Sequence, residues 1–457
     1  MVHGRINHRE ETVMKRANQC SADFRKRIRK HILCLLQKSP LGFEQILRRS
    51  LNCDPALLVE TLNKLRRSKI ISTIESQDLP LKYQLRVQKG PRNRDSSLSY
   101  KNVSLAPNNT WLLAQTKDLR NIVCDILNSL PEPSPVYYQW WFSTSAYKSL
   151  IKLLFSLSKP RAPIAFLGSG TLGAVFSNFS TNCVTIFDID ESFLTSLSSH
   201  CVKTTHLVCY DASQEPAKTW KNMFQLVFVD PPWSSSLLRT FLVRGTSFVS
   251  EGGKLAISFP QLLTRPSIVW ERANLVKLAA KLGLSLELIL TGFTEYSVPL
   301  FEYNAYKHYE IELKKPWRRG DLFIFSKIGD ATKNYSHSIE EMNRWEQYWR
   351  GKSRIFLKRD GRCEEGPPLI KPLSGLESLM YKSTSSRLPF WKSVSLVSSR
   401  NCVALAYGRK KLSILLRDIL NGTSEYHRAD QTVSSARSAK IRQIILSMLN
   451  SGNLGTK

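Results

Sequence analysis

Hydrophobic and polar positions change their period from one segment of the chain to the next, and these changes predict its elements. Apolar side chains recur at helical spacing from Phe24 to Leu65, and two short apolar runs follow at residues 70–74 and 83–85. Three helices followed by a β-ribbon is the element order of a winged helix-turn-helix. Residues 136–327 instead alternate strand and helix patterns, which predicts an α/β unit built on a parallel sheet.

Turn-rich segments and shifts in composition divide the rest of the chain. Residues 89–109 are rich in Gly, Pro, Asn and Ser, which predicts a linker. Helical spacing predicts one helix at residues 112–130 and three in the C-terminal region, at residues 339–351, 410–421 and 434–449. We therefore expect five parts: a flexible arm at residues 1–20, a winged-helix-like unit at 21–88, a linker and helix at 89–135, the sheet domain at 136–327, and a basic, mainly helical region without an assigned role at 328–457.

The charge of the chain favours a polyanionic partner. Its 457 residues include 66 Lys and Arg against 37 Asp and Glu, a net charge of +29, and 42% are hydrophobic. Such a field attracts nucleic acid and opposes the binding of a polycation; the alternative is a basic surface without a specific partner. Residues 331–457 alone hold 22 Lys and Arg against 10 Asp and Glu. The N-terminal and C-terminal regions are therefore candidate surfaces for nucleic acid, for a protein partner or for a second copy of the chain.

Cysteine usage and hydropathy indicate the compartment. The nine cysteines are scattered along the chain and form no Cys-x-x-Cys pair, which favours free thiols in a reducing compartment and gives no metal site. No apolar run has the length of a membrane span, and the first residues lack the apolar stretch of a secretory signal. We therefore expect a cytoplasmic protein without a metal ion or a membrane segment.

The most specific motif is the segment at residues 225–233, Gln-Leu-Val-Phe-Val-Asp-Pro-Pro-Trp. Its apolar run has the length and β-branched content of a buried strand, and the two prolines prevent further pairing. Asp230 is left at the carboxyl end of that strand, where ligands sit in open α/β sheets. Enzymes that alkylate an amino nitrogen use this arrangement, because the carboxylate and a proline carbonyl accept its N–H groups and the aromatic ring stacks on a flat substrate. The candidate catalytic residues are Asp230, Pro231, Pro232 and Trp233.

A glycine-rich turn upstream supplies a candidate cofactor site. The apolar run at residues 164–167 leads into Gly168-Ser-Gly-Thr-Leu-Gly173, a complete G-x-G-x-x-G, in which glycine permits a sharp turn and close approach of a ligand. A second apolar run ends at Asp188, about 20 residues after the first glycine, the spacing at which a carboxylate reaches ribose hydroxyls. Asp190 is expected to cap the following helix. The candidate cofactor-binding residues are Gly168, Ser169, Gly170, Gly173, Asp188 and Asp211.

The order of these motifs matches the Rossmann-like class I methyltransferase fold and further resembles the branched-chain polyamine synthase (N4-bis(aminopropyl)spermidine synthase) family. The resemblance spans roughly residues 25–327 and includes Pro135-Val-Tyr-Tyr-Gln139, Arg244-Gly245, Gly292-Phe-Thr-Glu-Tyr296 and Pro316-Trp-Arg-Arg-Gly-Asp321. It implies S-adenosylmethionine or its decarboxylated form as cofactor, with Gly168 and Gly170 under the methionine part, Asp188 on the ribose and Asp211 near the adenine amino group. The candidate substrate-binding residues are Gln139, Glu295 and Tyr296.

Departures from that family change the expected substrate. Its enzymes transfer aminopropyl groups to the central nitrogen of spermidine, and its glycine loop is rich in aspartates, whereas residues 168–172 here hold no carboxylate. Tyr138 stands where the family has an Asp before Gln139, and Trp233 stands where an acidic or polar residue usually follows Asp-Pro-Pro. Each change removes negative charge from a site that would hold a trivalent amine, a loss of roughly 1–4 kcal/mol per close ion pair.

The same changes suit a flat, neutral nucleobase and a cofactor that keeps its own carboxylate. Asp-Pro-Pro-Trp is the form found in amino-methylating enzymes that act on adenine, so methylation of an exocyclic amino nitrogen in DNA or RNA is the favoured function. Two alternatives stay open. One is an aminopropyltransferase that uses decarboxylated S-adenosylmethionine, and the other is a nucleic-acid-binding protein that has lost catalysis.

We predict that S-adenosylmethionine binds this chain more tightly than decarboxylated S-adenosylmethionine. A glycine loop without carboxylates does not repel the carboxylate of the first compound and offers no negative partner to the second. Isothermal titration calorimetry with both sulfonium compounds measures the preference. Tighter binding of the decarboxylated form would favour the polyamine synthase function instead.

Overall fold

The computed structural model describes residues 3–76, 79–86, 116–307, 309–313, 315–329, 345–359, 366–373, 393–421 and 435–450. The linker expected at residues 89–109 lies outside the described residues, and so does the start of the helix expected at residues 112–130. Within the described ranges, no helix is long and apolar enough to cross a membrane.

The N-terminal unit, residues 3–86, packs helices against a small sheet. Its elements are α1 (His3–Lys38), β1 (Leu41–Gly42), α2 (Phe43–Arg49), α3 (Pro55–Arg67), β2 (Ile71–Ser76) and β3 (Leu79–Leu85). The strands pair in the order β1-β3-β2. Helix α3 begins where the Asp54 carboxylate accepts the N–H groups of Ala56 and Leu57, an N-cap followed by proline at the first helical position.

Residues 3–20, which were expected to belong to a flexible arm, form the first part of α1, a helix that is continuous from His3 to Lys38. Residues 5–38 contain neither glycine nor proline, and they are rich in Arg, Lys, Glu, Gln and Leu, which favour helices. A polar composition does not by itself oppose a helix when no breaker interrupts it.

The central domain is an α/β unit. Its elements are α4 (Thr116–Ser129), α5 (Thr144–Leu157), β4 (Ile164–Leu167), α6 (Gly170–Ser177), β5 (Val184–Asp188), α7 (Glu191–Ser198), β6 (His206–Cys209), β7 (Phe224–Val229), α8 (Ser235–Phe248), β8 (Val249–Pro260), α9 (Ile268–Lys281), β9 (Leu284–Glu295), α10 (Leu300–Lys307) and β10 (Arg319–Lys327). They form a seven-stranded sheet in the order β6-β5-β4-β7-β8-β10-β9. The pairs among β4 to β8 are parallel as predicted, but the sheet as a whole is mixed because β10 runs antiparallel to β8 and β9.

The strand order creates a switch point in the middle of this sheet. The chain builds β5 and β6 on one side of β4 and then returns to place β7 and β8 on the other side. Strands β4 and β7, which are neighbours at this point, are apolar and almost wholly buried, as expected of strands covered on both faces. Ligands bind at the carboxyl ends of strands at such a point.

The C-terminal region contains a second sheet, so the expectation of a mainly helical region is wrong in its described part. Its elements are β11 (Trp345–Arg350), β12 (Ser353–Lys358), β13 (Leu369–Lys371), β14 (Leu396–Ser398), β15 (Val403–Tyr407), α11 (Arg409–Asn421) and α12 (Ser435–Asn450). The five strands pair in the order β11-β12-β14-β15-β13. The helices predicted at residues 410–421 and 434–449 are confirmed to within one residue at each end.

The helix predicted at residues 339–351 is wrong where the structure describes it, because residues 345–350 form strand β11. Gly351, with a φ of 58°, turns the chain directly into β12. The aromatic residues Trp345, Tyr348 and Trp349 also suit a strand better than a helix. Residues 339–344 lie outside the described part.

The N-terminal unit is joined to the central domain by a shared core and by backbone contacts. The side-chain amide of Asn52 bonds both backbone groups of Arg319, at 2.7 and 2.9 Å. Leu263 and Trp317 of the central domain are buried in the apolar core of the N-terminal unit. The N-terminal unit is therefore held against the carboxyl edge of the sheet, where the cavity described next lies.

Candidate active site

The Asp-Pro-Pro-Trp segment follows β7 at the switch point. The backbone N–H of Asp230 still donates to the Leu167 carbonyl of β4, at 3.1 Å, and the two prolines after it cannot continue the ladder. Asp230, Pro231, Pro232 and Trp233 all line one cavity of about 300 Å³. The structure therefore brings the four candidate catalytic residues to a single crevice.

Asp230 is held by a tyrosine from the end of β9. The Tyr296 hydroxyl donates to Asp230 Oδ1 at 2.6 Å and lies 2.7 Å from the Ser258 hydroxyl. Burial raises the pKa of Asp230 to about 7, against hydrogen bonds from Tyr296 and Ser258 that lower it. Burial and the adjacent Asp230 carboxylate raise the pKa of Tyr296 well above its usual value. The phenol therefore stays protonated and keeps donating to a carboxyl that titrates near neutral pH.

Two glycines of the glycine loop line the cavity, and the third packs in the core. Gly168 has a φ of 66°, and a Cβ at this position would lie 3.0 Å from the Asp230 carbonyl oxygen, so only glycine fits without strain. Ser169 and Gly170 also line the cavity. Gly173 does not: a Cβ there would lie 2.8 Å from Ile186, which shows that this glycine serves the close packing of α6 on the sheet.

The two aspartates after β5 have different surroundings. Asp188 lines the cavity, and its Oδ1 accepts the backbone N–H of Asp190 at 3.0 Å. Burial and the charge of Asp190 raise the pKa of Asp188 to about 7. Asp190 caps α7 by accepting the N–H of Phe193, as predicted. Burial would raise the pKa of Asp190, but the Arg354 guanidinium beside it holds that pKa below its usual value.

Asp211 is not among the residues that line the cavity, contrary to the expected contact with adenine. Its neighbours Tyr210 and Ala212 line it instead, while Asp211 Oδ1 accepts the N–H of Ser213 at 2.8 Å. Successive side chains of an extended segment point to opposite sides, so the carboxylate at the strand end turns away. The strand end lies at the cavity as predicted, and the residues on either side of Asp211 are the ones that line it.

Gln139 lines the cavity, yet its amide is used by the protein. Its Oε1 accepts from Arg354 Nη2 at 2.5 Å and from the Ser134 N–H at 2.9 Å, and its Nε2 donates to Asp190 Oδ2 at 2.8 Å. Arg354 comes from β12, is fully buried, and pairs with Asp190 at 2.5 Å. Gln139 therefore holds the cavity wall in place, and Arg354 anchors both that wall and the loop after Asp188.

Sequence reasoning missed Arg354. The available signal was its position directly before the apolar run Ile-Phe-Leu, because a charge in a buried strand requires a partner. The identity of the partners was not readable, since Gln139 lies 215 residues away in sequence.

Glu295, which the sequence predicted to contact substrate, is not among the residues that line the cavity. Its carboxylate accepts from Arg319 Nη2 at 2.6 Å, from Arg48 of α2 at 2.9 Å, and from the hydroxyls of Ser143 and Ser145. Burial alone would raise the pKa of Glu295, but these hydrogen bonds lower it to about 2. Glu295 is an ionised link between the N-terminal unit and the central domain.

The far side of the cavity from the glycine loop is aromatic. Trp233 meets the Tyr296 ring edge-on at 5.5 Å between centroids, and Trp140 meets Phe301 in the same way at 5.9 Å. The Arg318 guanidinium carbon lies 3.9 Å from the Trp140 centroid. This half of the cavity therefore combines flat apolar faces with the cation of Arg318.

The N-terminal unit completes this wall. Asp54, the N-cap of α3, lines the cavity together with Tyr306 of α10. The Tyr306 hydroxyl donates to Asp54 Oδ2 at 2.5 Å. The cavity is therefore built from the central domain and closed on one side by the N-terminal unit.

Comparison with known proteins identifies the fold. A sequence family described as "Probable N6-adenine methyltransferase" matches residues 136–272, which include the glycine loop and Asp-Pro-Pro-Trp. The solved branched-chain polyamine synthase of Thermus thermophilus is similar over 71% of this chain and 96% of its own, at 14% identity and a TM-score of 0.52. A mutein of that enzyme gives 15% identity over 71% of this chain and 95% of its own, with a TM-score of 0.52. The chain has the class I methyltransferase fold.

The class I methyltransferase fold accounts for the central sheet and for the position of the cavity. The resemblance to branched-chain polyamine synthases inferred from the motifs is confirmed for the fold. No protein of curated function is recognisably similar to the chain in sequence.

We predict that Glu295→Gln lowers the stability of the protein at neutral pH and that this loss shrinks in acid. The pKa of Glu295 is about 2 in the folded protein and near its usual value of about 4.3 in the unfolded chain. Its stabilisation is therefore present above the unfolded pKa and is lost as the pH falls toward the folded pKa. Urea unfolding should show a loss of about 3 kcal/mol at pH 7 and about half of that loss at pH 3.

Glu44→Gln is the matched control. Glu44 also pairs across the two units, with Lys315 at 2.9 Å, but both side chains are largely exposed, so its loss should stay below about 1 kcal/mol. An equal loss for Glu295→Gln at both pH values would contradict the assignment of Glu295 as an ionised link.

Proposed function

We propose that this chain is an S-adenosylmethionine-dependent methyltransferase that methylates the exocyclic amino group of a nucleobase, adenine by preference, in DNA or RNA. The observation that carries the proposal is the Asp230 carboxyl, held by Tyr296 at 2.6 Å beside Trp233 at the carboxyl end of β7. The match of residues 136–272 to a family described as a probable N6-adenine methyltransferase supports this choice of base.

The residues of the cavity fit S-adenosylmethionine. Gly168 and Gly170 line the cavity and carry no side chain, which suits close approach of the methionine part to their backbone. In the structure the Asp188 carboxylate accepts a backbone N–H, and it has room to accept ribose hydroxyls. Tyr210 and Ala212 line the part of the cavity that would hold the adenine ring. Bound there, S-adenosylmethionine would supply an electrophilic methyl group on a sulfonium.

Asp230 and its neighbours would orient the amino group. The Asp230 carboxylate and the Pro231 carbonyl accept the two N–H groups, and this directs the nitrogen lone pair toward the cofactor side of the cavity. Pro231 and Pro232 stiffen the segment, and Tyr296 fixes the carboxylate. The nitrogen that gains a methyl group must lose a proton, and a carboxyl with a pKa of about 7 can accept that proton near neutral pH.

Trp233 gives the substrate a flat face. Its ring stands edge-on to Tyr296 and lines the cavity, so a planar base can stack on it, an interaction worth about 1–3 kcal/mol in nucleic-acid-binding proteins. No carboxylate comes from the glycine loop, so a neutral base meets no unpaired negative charge there.

The partner in this proposal is nucleic acid, and the N-terminal unit is its candidate surface. Arg29, Lys30, Arg49, Arg66 and Arg67 are exposed on its three helices. The unit has the element order of a winged helix, and its Asp54 reaches the cavity. Phosphates bound to this surface would therefore lie close to a base in the cavity.

The second candidate is an aminopropyltransferase of the branched-chain polyamine synthase type. It is favoured by the shared fold with the Thermus thermophilus enzyme, whose structure holds N4-aminopropylspermidine and 5'-methylthioadenosine. The carboxylate-free glycine loop, Trp233 and the cation of Arg318 argue against it. A nucleic-acid-binding protein without catalysis is the third candidate, and the intact Asp-Pro-Pro segment beside a glycine loop argues against that.

We predict that methyl transfer to nucleic acid requires ionised Asp230. Because the pKa of Asp230 is about 7, the single-turnover rate should rise about tenfold per pH unit below pH 7 and level off above it. Asp230→Asn should lower the rate by about 10²–10⁴-fold. Tyr296→Phe removes a hydrogen bond that lowers this pKa, so the midpoint of the profile should move to higher pH.

Glu251→Gln serves as the control, because Glu251 is an exposed carboxylate near the start of β8, at the end of that strand away from the cavity. It should leave both the rate and the pH profile unchanged. A rate that does not depend on pH between 5 and 8, or an active Asp230→Asn protein, would remove Asp230 from the proposed role.

A further inference from the structure

An arginine lies among three tryptophans at the substrate end of the cavity. The Arg318 guanidinium carbon is 3.9 Å from the Trp140 ring centroid, 5.3 Å from that of Trp317 and 5.6 Å from that of Trp233. Arg318 lines the cavity, and 24% of its side-chain surface stays exposed. A cation over aromatic faces is attracted by the ring quadrupoles, so the guanidinium occupies a position that these rings make favourable for a cation.

The position of this cation is fixed from the side away from the cavity. Arg318 Nη2 donates to Glu302 Oε1 of α10 at 2.7 Å, and the Glu302 side chain has no exposed surface. Trp140 is itself held edge-on by Phe301 and Tyr296. The guanidinium therefore cannot leave the aromatic pocket without breaking an ion pair to a buried carboxylate, which is costly.

We propose that Arg318 determines the acceptor class of this site by excluding polycationic amines and by holding a flat, uncharged nucleobase beside Trp233. The proposal rests on the proposed function and deepens it. A substrate ammonium that reached Asp230 past Trp233 would come close to the guanidinium of Arg318 in a partly buried cavity, where like charges repel.

A nucleobase gains from the same group. The planar guanidinium can stack on a ring and donate hydrogen bonds to ring nitrogens or carbonyl oxygens. Arg318 lines the cavity and keeps part of its side-chain surface exposed. Arg318 would therefore weaken the binding of a polycationic amine and strengthen the binding of a base with acceptor atoms.

The test measures acceptor binding and turnover separately. Calorimetry, with saturating S-adenosylhomocysteine, measures the binding of spermidine to the full chain. Steady-state methylation of a single-stranded, adenine-containing oligonucleotide gives kcat and KM. The variants are Arg318→Gln, Arg318→Lys, and the double variant Arg318→Gln with Glu302→Gln, in which neither partner is charged. Lys203→Gln, which removes an exposed charge before β6, at the amino edge of the sheet, is the control.

We expect Arg318→Gln to bind spermidine at least tenfold more tightly than the wild type and to raise the oligonucleotide KM at least tenfold with a smaller change in kcat. The double variant should still bind spermidine at least threefold more tightly than the wild type. Arg318→Lys keeps the charge but loses the flat fork, so it should still reject spermidine while its KM rises at least fivefold. Lys203→Gln should match the wild type in every measurement.

Wild-type protein that binds spermidine as tightly as Arg318→Gln does would overturn the inference. So would a gain in spermidine binding that is confined to the single variant, because the cause would then be the uncovered Glu302 carboxylate. An unchanged KM in both Arg318→Gln and Arg318→Lys would overturn the contact with the base. Absence of methylation by a wild type that rejects spermidine would instead overturn the proposed function and leave the exclusion of polycations standing.

Discussion

The hydrogen bond from Tyr296 to Asp230, 2.6 Å long, joins the parts of this molecule on which the rest of the site depends. Tyr296 follows β9 and pairs with Phe142 in an isolated bridge, its hydroxyl also meets Ser258 of β8, and its ring borders Trp233. One phenol thus fixes the carboxyl at the end of β7 relative to two other strands and to the aromatic wall. Burial raises the pKa of that carboxyl to about 7 against the hydrogen bond from Tyr296, which lowers it, so this contact both positions the carboxyl and influences its pKa.

The cavity is a product of all three parts of the chain. Arg354 of the C-terminal sheet is buried against Asp190 and Gln139, and it steadies the loop that carries Asp188. Glu295 accepts from Arg48 of the N-terminal unit, which presents Asp54 to the cavity. The N-terminal unit and the C-terminal sheet both contribute to the site, because each one supplies contacts that hold one of its walls.

Local sequence was sufficient where the physical cause is local. The buried strand ending at Asp230 and the strained turn at Gly168 follow from neighbouring residues, and both lie where the pattern predicted. The ion pair of Glu295 was not readable from the sequence because its partner Arg48 is 247 residues away. The direction of the Asp211 side chain was not readable because the turn that follows the strand sets it. The strand at residues 345–350 was read as a helix because pairing with β12, rather than intrinsic propensity, decides its structure. Arg318 was not predicted because its role depends on three tryptophans brought together only by the fold.

The central claim is that the amino group methylated here belongs to a nucleobase. The most direct measurement incubates the full chain with S-adenosylmethionine labelled on its methyl group and separate pools of DNA and RNA, digests the products to nucleosides, and separates these by chromatography. The account predicts that label appears in an adenine nucleoside methylated on its exocyclic nitrogen. Label in no nucleoside, together with transfer of an aminopropyl group from decarboxylated S-adenosylmethionine to spermidine, would contradict it.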